Sequence, residues 1–443
     1  MQPQQPTLAP ALPPSTDSLR VCIVAESASL RFGGEASIPF HYFARLRARS
    51  IEAWLLTHDR TRAELEALLP GEQSRIKYVS DRWFHRVLWR LGQALPRRIG
   101  ESTFGVAMVL INQLIQRRML RKLIKDCRIN MVHQPVPVSP KAPSFIDGIG
   151  VPIIMGPMNG GMDYPPAFRR DESGFTRVGV FLGRACANIV NRLIAGKMHA
   201  SVLLVANERT RSALPRGVQG EIIELPENGV DLTIWSFDAN RVVSTDAPRF
   251  VFVGRLVGWK RLDLVLHALV KLPNARLEVI GDGDMRTSWT ELAGTLGVAD
   301  RVNWLGWLPQ SECARRLQGA MALFLPSIYE CGGAVVLEAM ACGVPVVATD
   351  WGGPKDYVNE SCGILVDPSS SDSIIEGFTA AGRELAENAG LRARLGSGAL
   401  RRAQSFDWNA KIDRILGVYR LATTITCTRS AETARAGSDP RRT

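Results

Sequence analysis

One stretch of the chain combines two carboxylates, a glycine turn and an apolar run in an order that could hold a phosphate and a diol. Residues 325 to 345 read LPSIYECGGAVVLEAMACGVP, the pattern of a strand, a glycine turn, a helix and a second strand. Gly332 and Gly333 would leave backbone N–H groups unbonded at the start of that helix, where the helix dipole also favours an anion. We therefore expect this turn to bind phosphate.

Glu338 would lie within the same helix, whose other residues are apolar. A helix of that kind is buried, and a buried carboxylate is costly unless it is hydrogen-bonded. No basic residue lies one turn away, so a vicinal diol such as a ribose would suit both carboxylate oxygens. The alternative is a hydrogen bond from a neighbouring loop. Cys331 precedes the turn, and we interpret it as a small residue that fits there rather than as a nucleophile.

Two cations, Arg255 and Lys260, lie on the loop after another predicted strand. Together they could neutralise a pyrophosphate without a metal ion, and arginine adds a bidentate fork. The alternative is that both form solvated surface ion pairs. Asp282-Gly283-Asp284 also matches the D-x-D pattern of metal sites, but it follows a strand as a glycine turn. We therefore predict no metal site.

The elements that position these residues alternate between short β-branched runs and helical patterns, which predicts parallel sheets with crossover helices. Six strands before a linker at residues 231–248 and six after it predict an α/β protein with two doubly wound, Rossmann-like domains facing a cleft. In such sheets, ligands bind at the carboxyl ends of the strands. The predicted strands are Arg20–Ala25, Ile51–Leu56, Asn130–His133, Pro152–Met155, Val202–Ala206, Glu221–Leu225, Arg249–Val253, Arg276–Ile280, Val302–Leu305, Ala322–Leu325, Pro345–Ala348 and Ile364–Val366.

The domain limits follow from the same pattern. We place the first domain at residues 19–220, the second at 221–406, and at 407–423 a helix that crosses back to the first domain. Residues 1–18 and 424–443 are expected to be disordered tails. The start of the chain lacks the features of a signal peptide, and no apolar run reaches the roughly 20 residues of a transmembrane helix.

Glu330 and Glu338, with seven residues between them, resemble the E-x7-E signature of the retaining family 4 glycosyltransferases, which have the GT-B fold. The resemblance extends from about Arg20 to Leu421. The chain departs from the family at residues 331–333, where many members carry an aromatic between two glycines, and the extra glycine predicts a more open turn. Further segments match in the family's order, namely Pro226–Asp231, Val253–Leu256 with Lys260, Ile280–Gly283 and Arg301–Gly306.

This resemblance implies roles for the residues above. Arg255 and Lys260 would hold the donor diphosphate, Glu338 the ribose and Glu330 the transferred sugar, while the base would rest near Gly306. Cys331, Gly332 and Gly333 would complete the donor site. In the family's mechanism the leaving diphosphate takes the acceptor's proton, so the enzyme's task is to stabilise charge on that diphosphate.

The first domain carries three further candidates. Gly33 and Gly34 follow the first strand and resemble the family's glycine loop over the donor phosphates; the alternative is a simple turn. His133, at the end of a strand, matches the family's sugar-contacting histidine, although a lone histidine is more often structural. Residues 156–166 are dense in turn formers, and we interpret them as an acceptor loop rather than an idle surface loop.

The net charge of +11 is concentrated in one region. From Arg82 to Lys125 there are ten basic residues and one acidic residue. On a helical projection Arg82, Arg86 and Arg90 form a stripe opposite an apolar face, which is typical of a helix at a membrane surface. We predict that this region rests on an anionic membrane; the alternative is a solvated basic face over a packed apolar one.

The sequence and the resemblance together predict a metal-independent, hexosyltransferase-like enzyme that moves a sugar from a nucleotide-sugar donor to a glycan or lipid-linked acceptor. The resemblance alone implies a role in bacterial polysaccharide or lipopolysaccharide biosynthesis. No cofactor and no nucleic-acid partner are expected. Eight scattered cysteines without a CxxC pair favour the cytoplasm. The basic region from Arg82 to Lys125 would place the protein at the inner face of the membrane. The alternatives are a nucleotide-sugar epimerase of similar fold and a non-catalytic module that binds sugar nucleotides or membranes.

Overall fold

Two parallel sheets form the frame of the molecule. The structure is a computed structural model and describes residues 19–93, 104–169, 186–240 and 247–437. The expected tail at residues 1–18 lies outside these ranges. Most of the strands are buried along their length, as parallel strands covered on both faces must be. The strands are β1 Arg20–Val24, β2 Glu52–His58, β3 Ile76–Val79, β4 Met131–Gln134, β5 Ile153–Met158, β6 Val202–Val205, β7 Glu221–Glu224, β8 Arg249–Val253, β9 Arg276–Ile280, β10 Val302–Gly306, β11 Ala322–Leu325, β12 Val346–Thr349 and β13 Gly363–Val366.

The strand orders are β3-β2-β1-β4-β5-β6-β7 in the first sheet and β10-β9-β8-β11-β12-β13 in the second. Every strand pair is parallel. This confirms the prediction of two doubly wound α/β domains. The α-helices of the described ranges include α1 Gly34–Ala48, α2 Arg62–Leu68, α3 Trp83–Gln93, α4 Val106–Asp126, α5 Gly196–His199, α6 Glu208–Ser212, α7 Leu262–Val270, α8 Arg286–Thr295, α9 Gln310–Gln318, α10 Ala334–Ala341, α11 Gly353–Tyr357, α12 Ser371–Glu387, α13 Ala389–Gln404 and α14 Trp408–Gly437.

All twelve predicted strands are present, but the sequence analysis missed β3. This strand has four residues at the edge of the first sheet, and its two central side chains, Lys77 and Tyr78, are only half-buried. A run that short, without a clear apolar period, gives too weak a signal to be separated from a loop.

The predicted domain boundary at residue 221 is wrong. β7 pairs with β6 from Val202↔Glu221 to Val205↔Glu224, so the first domain continues to at least Glu224. Ile222 and Ile223 pack against the two sides of the first domain's core, which explains why this strand stays with the first sheet.

The chain crosses between the domains at two adjacent segments. The Val230 N–H donates to the Phe406 carbonyl at 2.9 Å, and the Trp408 N–H donates to the Val230 carbonyl at 3.1 Å. After the second crossing, the buried side chains of Trp408 and Tyr419 on α14 lie within the core of the first domain. The return of this helix to the first domain agrees with the sequence analysis.

The prediction of a disordered tail from residue 424 is wrong as far as residue 437, because α14 continues to Gly437. Residues 424–436 contain no proline and no glycine, so nothing in them breaks a helix. Ile425 also packs against the first domain's core. Residues 438–443 lie outside the described ranges.

Candidate donor site

The glycine turn that precedes α10 lies between the two domains at the carboxyl end of β11. Gly333 has φ +76°, a left-handed conformation that glycine adopts without strain. Gly332 is buried, and a Cβ at this position would overlap Asn228 Nδ2 and lie 2.9 Å from Glu227 Oε2. The prediction of a more open turn is therefore wrong: the turn is closed by Asn228, and an aromatic side chain would not fit at residue 332.

Lys260 and Glu330 form an ion pair through Nζ and Oε2. Both side chains are largely buried. The Lys260 ammonium lies over the Gly254 turn, where an added Cβ would be 3.5 Å from Nζ. A diphosphate arriving here would compete with the Glu330 carboxylate for the ammonium, and would release that carboxylate for another partner.

Arg255 is exposed, and its guanidinium has no hydrogen-bond partner among the described residues. It lines a cavity of about 880 Å³ together with Trp259, Asp284 and Ser288. The arginine can therefore accept an anion without first breaking an ion pair within the described part of the chain.

Glu338 lies on α10 and is half-buried. Burial raises the pKa of its carboxyl group to about 7. Within the described ranges no hydrogen bond to its carboxyl oxygens is observed, so the alternative of a bond from a neighbouring loop finds no support. A carboxylate in this state needs two hydroxyl donors, as a vicinal diol would supply.

The glycine pair of the first domain lies at the start of α1. Gly33 has φ +100°, and an added Cβ at Gly33 or Gly34 would meet nothing within 4 Å. Glu35, in the first turn of α1, lies close enough for its charge to act on Cys331. Burial, with the charges of Glu227, Glu330 and Glu35, raises the pKa of the Cys331 thiol to about 11, which agrees with its interpretation as a packing residue.

His133 does not contact the cleft. It is fully buried, its Nδ1 lies 2.8 Å from the Tyr419 hydroxyl, and its Nε2 lies 2.6 Å from the Gly156 carbonyl oxygen. Burial lowers the pKa of the ring to about 4, so it is neutral. The predicted role in contacting sugar is wrong for this geometry, because both ring nitrogens already have partners and β4 ends beneath α14.

Residues 156–166 bridge the domains. Asn159 Nδ2 donates to the Cys331 carbonyl at 2.8 Å, and the Tyr164 ring stacks on Tyr329 with 4.8 Å between centroids. Trp351 Nε1 donates to the Asp163 carbonyl at 2.8 Å. These contacts hold the segment against the loops of the second domain, so the geometry does not favour its prediction as an acceptor loop.

Gly306 ends β10 with φ +68°, and its carbonyl accepts a hydrogen bond from the Gly281 N–H at 2.7 Å. The next residue, Trp307, leaves 68% of its surface exposed. An exposed indole beside the position expected for the base offers a flat apolar surface for stacking. The sequence analysis included this loop but not this side chain.

A group of potential metal ligands does occur among the described residues, but away from the D-x-D segment. His58, Asp81 and His85 have ligand atoms within 4.8 Å of one another. The Nδ1 atoms of both histidines already accept backbone N–H groups, at 3.2 Å for His58 and 3.0 Å for His85. His85 Nε2 lies 2.8 Å from Asn112 Oδ1. These bonds orient both rings within the fold.

Comparison with known proteins decides the fold. Residues 234–401 match the family model described as glycosyl transferases group 1. A solved glycosyltransferase from Rickettsia africae resembles the chain with a TM-score of 0.64 at 14% identity, over 92% of this chain and 99% of that one. Anabaena HepE, solved with UDP-glucose, has a TM-score of 0.59 at 17% identity, over 90% and 100%. The fold is GT-B.

Curated relatives of this GT-B chain include the D-inositol 3-phosphate glycosyltransferase of Kribbella flavida, 31% identical over 227 residues. That match covers 47% of this chain and 53% of the relative. The lipopolysaccharide core biosynthesis glycosyltransferase LpsE of Rhizobium meliloti is 34% identical over 151 residues, 34% of this chain and 43% of the relative. The chain thus spans about half the length of the curated relatives that it matches.

Proposed function

We propose that the chain is a retaining family 4 glycosyltransferase that moves a hexose from a nucleotide-sugar donor to a glycan or lipid-linked acceptor. One observation carries this proposal: the Lys260–Glu330 ion pair lies beside the glycine turn of α10 in a GT-B fold, with Arg255 on the same loop as Lys260 and Glu338 on the helix that follows the turn. The group 1 match over the second domain supports it.

The proposed chemistry is stabilisation of a leaving group. As the anomeric C–O bond breaks, charge grows on the diphosphate, where Arg255, Lys260 and the N-terminus of α10 would oppose it. The acceptor oxygen bonds to the anomeric carbon on the same face, and its proton passes to the departing diphosphate oxygen. These cationic groups supply the charge that a metal ion would otherwise provide, so we propose that turnover is metal-independent.

Glu330 and Glu338 would position the donor. Once the diphosphate takes Lys260, the Glu330 carboxylate is free to accept hydrogen bonds from the sugar hydroxyls. Glu338 would accept those of the ribose. Because the reacting atoms must be held in a near-attack arrangement, losing either contact would reduce turnover even if the donor still bound.

A nucleotide-sugar donor is supported by Anabaena HepE, which was solved with UDP-glucose. A role in bacterial polysaccharide or lipopolysaccharide biosynthesis is supported by the Rhizobium meliloti relative, which acts in lipopolysaccharide core biosynthesis. We also propose that the reaction takes place in the cytoplasm, as the sequence analysis predicts.

Peripheral attachment to the membrane is proposed for α3. Arg82, Arg86 and Arg90 are exposed, as expected. The apolar face of the same helix is only partly packed, since Trp83, Val87 and Leu91 are 70%, 42% and 46% exposed. Cations beside an exposed apolar stripe suit an anionic lipid surface. No helix within the described ranges has the length and apolar character needed to cross a bilayer.

The deciding experiment offers UDP- and GDP-hexoses to the purified protein with bacterial glycan extracts, and analyses the products by mass spectrometry and NMR. A product that keeps the donor's anomeric configuration supports the proposal. An inverted product would contradict retention. Conversion of the donor to its epimer without an acceptor would favour an epimerase, and binding without turnover would favour a non-catalytic module.

A further inference from the structure

A second cavity, of about 310 Å³, lies in the first domain where β1, β4 and α4 meet. It is at the lower end of the ~300–1,000 Å³ of small-molecule sites, so it has room for about one ring-sized group. Seven of its twelve lining residues have polar or charged side chains. The lining side chains that could contact a ligand include Glu26, Phe32, Glu35, Gln113, Gln116 and Gln134.

Three buried glutamines present fixed amide groups to this cavity. Each is held at one end by a hydrogen bond, and the other end has no partner among the described residues. Two amide NH2 groups and one amide carbonyl are therefore preoriented for a ligand. The fixing bonds are Phe145 N–H to Gln113 Oε1 at 2.9 Å, Gln116 Nε2 to the Ala25 carbonyl at 2.8 Å, and Ser144 Oγ to Gln134 Oε1 at 2.7 Å.

The charges in the cavity disfavour an anion. Glu26 and Glu35 contribute two carboxylates, and the cation beside them, Arg60, donates to Glu26 at 2.7 Å and to the Ser27 hydroxyl at 2.8 Å. Desolvation, opposed by the Val138 N–H and assisted by the charge of Glu26, raises the pKa of Glu35. A phosphate here would meet like charge with no unpaired cation among the described lining residues.

The position of the cavity relates it to the donor site. Glu35 lines it and also lies close enough to the donor turn to raise the pKa values of Cys331 and Glu227. Phe32, at the mouth, leaves 57% of its surface exposed. An aromatic ring beside several amides matches a pyranose, which has an apolar C–H face and a rim of hydroxyl groups.

We propose that this cavity binds the acceptor through an uncharged, polyhydroxylated sugar ring, with the attacking hydroxyl nearest Glu35. This inference rests on the proposed function and adds the chemical class of the acceptor's reactive end. An uncharged sugar as acceptor would distinguish this chain from a transferase whose acceptor is a phosphorylated polyol. Glu35 would accept a hydrogen bond from the hydroxyl, whose proton still leaves with the diphosphate.

Binding by the full chain can be measured by saturation-transfer NMR. The neutral probes are the methyl α-glycosides of glucose, galactose and mannose, and the charged probes are glucose 6-phosphate and inositol 3-phosphate. We expect at least one methyl glycoside to bind about ten-fold more tightly than either phosphate, because like charges oppose the phosphates.

Two variants with matched controls locate the site. Phe32→Ala should weaken binding of the methyl glycoside about five-fold through lost ring contact, whereas truncating the exposed Val270 to Ala should not. Glu35→Gln keeps the side chain's shape and should raise the affinity for glucose 6-phosphate about three-fold or more. Glu66→Gln, on the exposed face of α2, should leave that affinity unchanged.

The same samples are also titrated with UDP. This measurement tests the donor site separately from the acceptor inference, so failure of one can be told from failure of the other. If no methyl glycoside binds, if the phosphates bind more tightly, or if Phe32→Ala and Glu35→Gln change nothing, the acceptor inference is overturned. UDP binding that persists in that case leaves the proposed function standing. Saccharide binding without UDP binding would instead contradict the donor site.

Discussion

Lys260 Nζ and Glu330 Oε2 form an ion pair between two loops that are 70 residues apart in the sequence. We assign the Lys260 ammonium to the diphosphate and the Glu330 carboxylate to the sugar. Without a donor, the two charges neutralise each other. Because the pair is largely buried, removing one partner leaves the other charge uncompensated. The cation and the carboxylate must therefore be tested in separate variants.

Lys260→Ala should lower turnover by on the order of 100-fold, since stabilisation of leaving-group charge is a large catalytic term. Steady-state transfer rates with saturating donor measure it. Lys271→Ala is the control, because Lys271 is an exposed lysine paired with Glu376 on the surface. Near-normal rates in Lys260→Ala would exclude this lysine from the chemistry.

Because the pKa of Glu338 is raised, we expect donor affinity and folding stability to change in opposite directions with pH. Burial raises its pKa from 4.5 to about 7, so between these values the folded protein holds a proton that the unfolded chain has lost. The stability from this group is present below the unfolded pKa and declines as the pH rises to 7. Binding of a ribose requires the ionised form, so affinity for UDP-glucose should increase from pH 6 to pH 8.

Glu338→Gln checks this directly. Urea unfolding at pH 8 should show the variant to be more stable by ~1–2 kcal/mol, with a smaller gain at pH 5.5, because it removes a partly buried charge. Calorimetric titration with UDP-glucose should show weaker binding and little change between pH 6 and pH 8. A variant that binds as tightly as the wild type at pH 8 would contradict the ribose assignment.

Gly332→Ala should destabilise the donor turn, because the new Cβ would overlap Asn228 Nδ2. We expect a loss of ~1–3 kcal/mol in the free energy of unfolding and a weaker affinity for UDP. Gly294→Ala is the matched control, since an added Cβ in that helix meets nothing within 4 Å and should stabilise by up to ~1 kcal/mol. Equal unfolding midpoints for the two variants would show that the turn has room to relax.

Chelation should leave turnover nearly unchanged. Excess EDTA and Asp282→Asn are compared under the same conditions, because Asp282 is exposed and its side chain accepts the Gly283 N–H at 2.8 Å. If the chelator abolishes transfer, added Mg²⁺ or Mn²⁺ restores it and Asp282→Asn is inactive, the D-x-D segment is a metal site and the proposed mechanism is wrong.

Sedimentation with lipid vesicles tests whether α3 binds to an anionic membrane surface. Vesicles containing phosphatidylglycerol should carry the protein down at low salt and less at high salt, since each basic residue contributes about 1 kcal/mol near an anionic surface. Changing Arg82, Arg86 and Arg90 to Glu should abolish the binding. The same change at Arg394, Arg401 and Arg420, exposed elsewhere, should not. Equal binding by both triple variants would remove α3 from the membrane contact.

Twelve of the thirteen strands among the described residues could be predicted because their signals are local, and the donor residues were proposed from local signals as well. Apolar runs mark the strands, and the glycine turn lies within a few residues of Glu330 and Glu338. His133 could not be assigned in this way, since its burial depends on Tyr419, which is 286 residues away. The lack of space at the Gly332 turn likewise depends on Asn228, and no local sequence pattern reveals this contact.

The cavity that we propose for the acceptor was missed although one signal existed. Asn112, Gln113 and Gln116 interrupt the apolar run of α4, and all three are buried. Buried amides on one helix face are unusual enough to indicate a ligand or a hydrogen-bond network. What the sequence did not provide was the convergence of these amides with Gln134 and Glu35 from separate elements.

The return of α14 has a consequence for biosynthesis. Domains usually fold as units, the earlier ones first, while the chain leaves the ribosome at ~5–20 residues per second. Here the first domain's core lacks Trp408, Ile412, Ile415 and Tyr419 until the whole second domain has been translated. The second domain can therefore complete its core first, while the nascent first domain keeps an apolar surface exposed until α14 is translated and packs against it.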